Sequence, residues 1–490
     1  MPEAKLIPNT IFEDDNAVLN FITLIESEKI TYKLGTDVEW LNIDAKFTKT
    51  STGNFELSFN LNEKDNLNIE YFFIKPAILL APGIKILIQN IDVNSIRNSI
   101  SEDSPVSKCK VEVKAFRGDV DDSLWMNSKQ AAFYRYEIAQ FEPYRLGITF
   151  DITTNKDQKY SFKNGVSLNI EGSSVLFYYE QIDADYGYFI FKSQHEIDFA
   201  KFQKIINSAR AALGLISGYY MAESVYFISL KRPKGVSGLS YRYYNIKETI
   251  NNKYPLLDHG KYIDIPENEL NLSDVQFNEL VRLLNNHEEY LRASLLLINA
   301  GNIRGISKGG LASVALETIT NIIGKKQSDK KIIVKNEIES KLKYELNKGL
   351  KKIQTQISKE QYTTFENKIN NINNIPNAQK LEDSFRLLGF ELNEEELYCL
   401  SCRNKLLHGT LPKNKKFKML NDDELVFLVS NRLIMLSAIL LLKEAGYTGK
   451  IIDWGFTEVV KRKAILQGQR IKAGNAFRDI GTKPSSSVGD

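Results

Sequence analysis

Residues 394–410 read EEELYCLSCRNKLLHGT. Leu397, Leu400, Leu406 and Leu407 recur at helical spacing, and Gly409 follows where a helix C-cap is expected. The spacing predicts a helix over 394–408 with His408 in its last turn. There the helix dipole favours a charged imidazolium. Asn404 lies four residues back, and four steps of about 100° bring a helix almost full circle. Arg403 is one step further round, but its side chain is long. A cation, an amide and a histidine can therefore converge beside one helix end.

Outward from this stretch, the pattern is helical from Leu270 onward. Candidate helices cover 273–300, 311–323, 331–357, 359–369, 378–388 and 423–445. Residues 325–360 hold 11 lysines against 5 acids. The most apolar stretch, 426–442, is broken by Ser430, Asn431 and Arg432 and falls short of the roughly 20 apolar residues of a membrane span. It reads as a buried core helix that can also contribute to a subunit interface.

Before residue 265 the pattern is different. Phe55, Leu57, Phe59 and Leu61 alternate with polar residues, as do Cys109, Val111, Val113 and Ala115, and Ile148, Phe150 and Ile152. Aromatic and β-branched runs at 69–74, 175–179, 188–191 and 225–230 add further strands, with turn signals at 52–54 and 163–165. One helix interrupts them: Phe199, Phe202, Ile205, Ile206, Ala209, Ala212, Leu213 and Ile216 keep helical spacing until Gly218. The expected class is α+β. A β-rich half, 1–265, carries sandwich-like antiparallel sheets with a packed helix, an all-α helical bundle follows over 270–455, and a basic tail runs over 456–490 with a disordered end.

Composition bounds the function. Basic residues number 64 and acidic residues 61, a net charge of +3, so any nucleic-acid surface must be local. The polar, acidic N-terminus lacks the apolar core of a signal peptide, and three scattered cysteines fit a reducing cytoplasm. No Walker-type glycine loop occurs. Cys399 and Cys402 form a CxxC pair on a predicted helix without a second pair, and read as small core residues. The loop Gly118-Asp119-Val120-Asp121-Asp122 lacks the bidentate glutamate of a calcium hand and reads as a solvated turn. Tyr219-Tyr220 and Tyr243-Tyr244 can stack bases, but such strand aromatics more often serve a core. No cofactor and no metal are expected.

Four histidines occur, at 195, 259, 287 and 408, and only His408 has a chemical neighbourhood. Histidine moves protons near neutral pH. Arginine presents a planar fork of donors to phosphate oxygens, and asparagine can orient either partner. These types suit RNA cleavage, because RNA carries its own nucleophile, the ribose 2′-OH. One histidine cannot easily act on both sides of the phosphate. A twofold dimer supplies two Arg/His pairs. Lys405 inside the motif, and Lys413, Lys415, Lys416 and Lys418 after it, can attract the RNA backbone or simply solvate a loop. The basic stretch 461–478 is likewise either an RNA-gripping arm or a soluble tail.

Arg403-Asn404-x-x-x-His408 on a late helix of a helical domain resembles the HEPN superfamily of ribonucleases, and the motif is filled without departure. Helix 311–323, carrying Glu317, is similar to an early helix of such domains, which makes Glu317 a candidate supporting residue. With a β-rich first half, the chain resembles ApeA-type anti-phage proteins of bacteria. The resemblance implies a metal-independent RNase acting as a homodimer or higher even oligomer, without a membrane. It also implies abortive-infection defence, a phage-derived trigger sensed by the first half, and tRNA as one possible substrate. The alternative is a non-catalytic module that binds RNA or protein, in which the motif serves grip or dimer contacts.

Overall fold

The computed structural model describes residues 13–36, 40–62, 77–82, 84–88, 97–100, 106–119, 133–141, 165–181, 187–220, 224–230, 240–245, 250–251, 254–257, 272–325, 332–333, 335–373, 376–413, 417, 420–461 and 477–481. The chain divides into two compact units, 1–287 and 288–490. The fold is α+β: a large antiparallel sheet fills the first unit and helices fill the second.

The first unit opens with helix α1 (Glu13–Glu26). The strands are β1 (Thr31–Gly35), β2 (Trp40–Lys49), β3 (Phe55–Asn62), β4 (Ala77–Ala81), β5 (Ile84–Ile88), β6 (Arg97–Ile100), β7 (Val106–Val113), β8 (Ala115–Asp119), β9 (Tyr134–Phe141), β10 (Gly165–Ile170), β11 (Ser173–Gln181), β12 (Gly187–Ser193), β13 (Tyr219–Tyr220), β14 (Ser224–Leu230), β15 (Ser240–Asn245) and β16 (Ile250–Asn251). All but β13 and β16 belong to one 14-stranded sheet, ordered β10-β11-β12-β9-β14-β15-β8-β5-β4-β1-β2-β3-β7-β6. The sandwich-like expectation is corrected accordingly: hydrogen bonds run through one continuous sheet.

That sheet curls, as strongly twisted sheets of this width commonly do. Phe47 and Phe55 from one part of it meet Phe116 and Tyr243 from another, with ring centroids 4.9–5.1 Å apart for three of these pairs. Val18, Phe21, Ile22 and Ile25 of α1 join the same buried cluster. A carboxylate at a helix C-terminus is electrostatically unfavourable. Glu26, the last residue of α1, offsets this through Lys49 Nζ at 2.6 Å, Tyr226 Oη at 2.7 Å and Tyr188 Oη at 3.1 Å.

The alternation at Phe55, Leu57, Phe59 and Leu61 is that of β3, whose four residues face the core. The alternation Cys109–Ala115 is two strands. The chain bends at Lys114, β7 pairs with β3, and β8 pairs with β15 and β5. Register rather than local pattern makes that switch. Gly118 of the loop read as a turn sits within β8, where a Cβ would lie 2.2 Å from Lys85 O and from Tyr241 Oη. Residues 69–74, 120–122, 148, 150, 152 and 163–164 lie outside the described residues.

Helix α2 (Phe199–Ser217) runs between an Asp198 N-cap, which accepts from Lys201 N at 2.8 Å, and Gly218 at φ 72°. It covers the opposite face of β9 and β14, where Phe199 meets Phe227 at 5.6 Å. Arg210 pairs there with Glu137, both almost fully buried. Burial pushes the Glu137 carboxyl up to about 7, against the pull of Arg210.

The segment 273–300, read as one helix, is two. Helix α3 (Asp274–Asn286) ends at His287, whose backbone is extended (φ −129°, ψ 101°), and belongs to the first unit. Asn278 on α3 donates to Ser167 O at 2.8 Å and accepts from Asn169 N at 2.9 Å. The amide thus covers backbone groups of the edge strand β10, which would otherwise invite another strand.

The second unit contains α4 (Glu288–Asn302), α5 (Ile306–Lys325), α6 (Asn336–Lys352), α7 (Lys359–Asn370), α8 (Asn377–Leu387), α9 (Glu394–Leu407) and α10 (Asp422–Glu444). The antiparallel pair β17 (Lys450–Ile452) and β18 (Phe477–Asp479) also belongs to it. Among the described residues α10 is the one helix long and apolar enough to cross a membrane, and 94% of that apolar window is buried inside the protein. It serves as the core helix of this unit. Residues 477–481 of the basic tail are folded: Lys443 Nζ donates to Ile480 O at 2.9 Å.

Arg210→Met should destabilise the first unit by about 3–5 kcal/mol, because it strands a buried carboxylate. The double variant Glu137→Leu/Arg210→Met should recover most of that loss in urea unfolding. The Glu137 carboxyl titrates near 7 when folded, above its ordinary 4.5. Its contribution to stability is therefore complete below pH about 4.5 and lost as the pH rises through about 7. Unfolding followed across that window should show the slope in the parent and not in Glu137→Gln.

Candidate functional site

Helix α9 begins with a capping box: Asn393 Oδ1 accepts from Glu396 N at 2.9 Å, and Glu396 Oε2 accepts from Asn393 N at 2.8 Å. It ends in a Schellman motif. Thr410 N donates to Lys405 O at 2.8 Å, Gly409 N donates to Leu406 O at 3.1 Å, and Gly409 has φ 68°. His408 is the C-cap residue, at φ −92° and ψ 13°. Both helix ends are thus fixed by local chemistry.

The buried face of α9 differs from the expected leucine stripe. Leu400 and Leu406 are buried, but Leu397 is 37% exposed. The buried face holds Glu396, Cys399, Leu400, Cys402, Arg403 and Leu406. Each buried charge on it has a partner. Arg478 of β18 takes Glu396 with Nε at 2.7 Å and Nη2 at 3.2 Å. The same guanidinium donates to Glu391 O at 2.6 Å and lies 4.4 Å from the Phe390 ring centroid. Arg432, in the middle of α10, reaches Glu395 at 2.6 Å and Asp453 at 3.1 Å.

Arg403 is 4% exposed. Its Nη1 lies 2.9 Å from Glu317 Oε1 on α5, and its Nη2 donates to Asn404 Oδ1 at 2.6 Å. Arginine has only donors, so this contact fixes which end of the Asn404 amide is oxygen. The Asn404 Nδ2 amide is left as a donor at an exposed position. His408 is exposed too, and among the described residues no hydrogen bond ties its imidazole to Arg403 or Asn404. The structure therefore brings Arg403, Asn404 and Glu317 into one network and leaves His408 beside it, free to meet another group.

Helix α5 approaches α9 closely. A Cβ at Gly309 would lie 2.5 Å from Leu406 Cδ1 and 2.7 Å from Ser430 Oγ, so a larger residue would force those side chains of α9 and α10 to shift. Ser313 Oγ donates to Gly309 O at 2.7 Å and reaches Arg403 O at 3.4 Å. Next to Gly309, Lys308 is 3% exposed and lies 5.3 Å from the Phe427 ring centroid. Burial pushes its ammonium down to about 8.

Of the candidate RNA-contacting lysines, Lys405 is half-buried and Lys413 is exposed. Lys413 O accepts from Tyr398 Oη at 2.6 Å, which ties the loop to α9. Lys415, Lys416 and Lys418 lie outside the described residues. His195 is exposed, His287 caps α3, and His259 lies outside the described residues. Cys399 and Cys402 are buried, unlinked thiols. Burial pushes Cys399 up to about 12 and raises Cys402 as well, so neither is poised as a thiolate. Among the described residues no cluster of three His, Cys, Asp or Glu can hold a metal ion.

The sequence reading did not single out Lys308, Arg432 or Arg478. A signal for one of them was present: Arg432 interrupts an apolar run, where a buried charge requires a partner. The Arg478 pairing spans 82 positions, and no local signal announces it. Compared with family models, curated proteins and solved structures, the chain finds no match.

Glu396→Ala removes the ion pair of Arg478 and the N-terminal capping box of α9, and should cost the second unit about 1–2 kcal/mol, because Arg478 is partly exposed and keeps Glu391 O. Gly309→Ala should cost about 1–3 kcal/mol by overpacking the three-helix contact. His408→Ala, at an exposed cap, should stay within about 0.5 kcal/mol of the parent. Urea unfolding of the three variants checks the ranking. A large loss in His408→Ala would refute the placement of that residue.

Proposed function

We propose that this protein is a metal-independent endoribonuclease whose active centre is Arg403, Asn404 and His408. The observation that carries the reading is the network at the end of α9. There Glu317 and Asn404 hold the Arg403 guanidinium, while Asn404 Nδ2 and His408 stand at the surface next to it. The HEPN-like motif spacing supports the same reading. In the proposed reaction the 2′-oxygen attacks the adjacent phosphorus as one His408 takes its proton. The 5′-oxygen leaves as a second histidine gives it one. The products are a 2′,3′-cyclic phosphate and a 5′-hydroxyl. The second histidine is His408 of another copy in a homodimer or higher even oligomer. Arg403 and Asn404 donate to the phosphoryl oxygens where charge grows.

The resemblance extends the proposal. The enzyme acts in the cytoplasm in abortive-infection defence, on RNA that includes tRNA. The first unit restrains the nuclease until a phage-derived trigger arrives. Basic residues near the motif, Lys405 and Lys413 among them, guide the RNA backbone.

One observation favours a second reading. Arg403 is buried and ion-paired, as expected of a residue that fastens α9 to α5. On that reading the chain binds RNA or a protein partner without cutting, and the motif supplies grip or dimer contacts.

The assay is cleavage of total cellular RNA in excess EDTA, with and without infected-cell extract. The parent should cut and leave cyclic-phosphate ends. Arg403→Ala and His408→Ala should each lose at least about 100-fold in rate. If His408→Ala cuts as well as the parent, the acid–base role is wrong. If no version cuts under either condition, and His408→Ala binds RNA like the parent, the binding-module reading stands instead.

A further inference from the structure

Helices α6 and α7 form a hairpin whose side chains are mostly exposed. Helix α6 buries only Glu339 and Leu350, and α7 buries no described residue. The base of the hairpin is pinned by Asn373, which is 3% exposed. Its Oδ1 accepts from Ile333 N at 2.6 Å and its Nδ2 donates to Ile333 O at 3.0 Å. A helix that contributes so little to the core yet is held so firmly at its root presents a surface.

The C-terminal half of α6 has a particular chemistry. Tyr344, Asn347, Lys348, Lys351 and Lys352 follow helical spacing along one stripe and line an open cavity of about 450 Å³. No carboxylate lines the cavity, and none occurs in the sequence from 346 to 359. Lys343, one turn earlier, is neutralised by Glu339 at 2.7 Å. By contrast, Lys348, Lys351 and Lys352 meet no carboxylate among the described residues. Lysines in a last helical turn complement the helix dipole, which accounts for Lys351 and Lys352 without any ligand. It does not account for Tyr344, 65% exposed, in line with Lys348 and an amide.

We propose that this stripe is a docking surface for single-stranded RNA. Backbone phosphates rest on Lys348, Lys351 and Lys352, and a base stacks on the Tyr344 ring. Cations that track a backbone and an aromatic platform for a base are the two elements of sequence-tolerant single-strand binding. The stripe carries no exposed aliphatic residue, so it offers little to the apolar face of a partner helix. This inference deepens the nuclease reading by assigning a substrate-holding surface away from the motif.

The test measures binding of a labelled oligouridylate by fluorescence anisotropy. The full-length protein carries His408→Ala so that the probe stays intact. Replacing Lys348, Lys351 and Lys352 together with Ala should weaken binding at least about tenfold. It should also lower the slope of log affinity against log salt by about 2, at roughly 0.7 per phosphate contact. Tyr344→Ala should weaken binding about tenfold with the salt slope unchanged. Lys368→Ala, on α7, should bind like the parent. All four substituted side chains of α6 are exposed, and circular dichroism verifies the helix content.

Unchanged affinity in the triple variant overturns the proposal, as does a parent that binds no oligouridylate. Loss of self-association with RNA binding intact, read by sedimentation, overturns it in favour of a protein contact. If the stripe binds RNA but the parent never cleaves it, the docking surface stands and the nuclease reading fails.

Discussion

A charged side chain can be buried only with a partner, and helix α9 buries two, Glu396 near its start and Arg403 near its end. Much of the second unit is arranged around meeting those two demands. Glu396 draws in Arg478, which fixes β18 and with it the returning chain. Arg403 draws in Glu317 and so sets how α5 lies along α9. Gly309 lets α5 pass close to Leu406 of α9 and Ser430 of α10. Both ends of α9 are pinned through its one buried face, and its capped C-terminal tip faces solvent.

The same economy shapes the candidate active centre. The guanidinium of Arg403 gives one contact from Nη1 to Glu317 and one from Nη2 to the carbonyl of Asn404, which turns the Asn404 amide nitrogen outward as a donor. His408 is held by backbone bonds alone, so its imidazole is free of local partners among the described residues. On the proposed reading, the positioned donor and the unengaged acid–base group at this helix tip serve a phosphodiester reaction, and a second copy supplies the remaining acid or base. The buried thiols of Cys399 and Cys402 stand next to this site without chemistry of their own; they fill space between charged neighbours.

In the first unit, the constraint is width. The fourteen-stranded sheet curls around α1, whose terminal Glu26 is tied by Lys49, Tyr188 and Tyr226. On the other face of the sheet, α2 packs over β9 and β14 with the Glu137–Arg210 pair in the middle of its contact. Alternation along β9 therefore separates an aromatic core from a face with a buried charge pair. Tyr136 and Ile138 point one way and Arg135 and Glu137 the other.

Local chemistry determined a good deal of this. The cap at Gly409, the end of α2 at Gly218, the helical grammar after residue 270 and the buried α10 were all legible, because capping and periodicity act over a few residues. The nearness of Arg403, Asn404 and His408 was legible too, since all three lie at the end of one helix. Long-range pairing decided the rest. Strand order joined fourteen strands into one sheet where local alternation suggested a sandwich, and it split Cys109–Ala115 at Lys114. Burial exposed Leu397 and enclosed Arg403, reversing what residue type alone suggested. Arg478 left the basic tail for Glu396 because a capped, buried carboxylate needed a cation, a demand that exists only once the chain has folded.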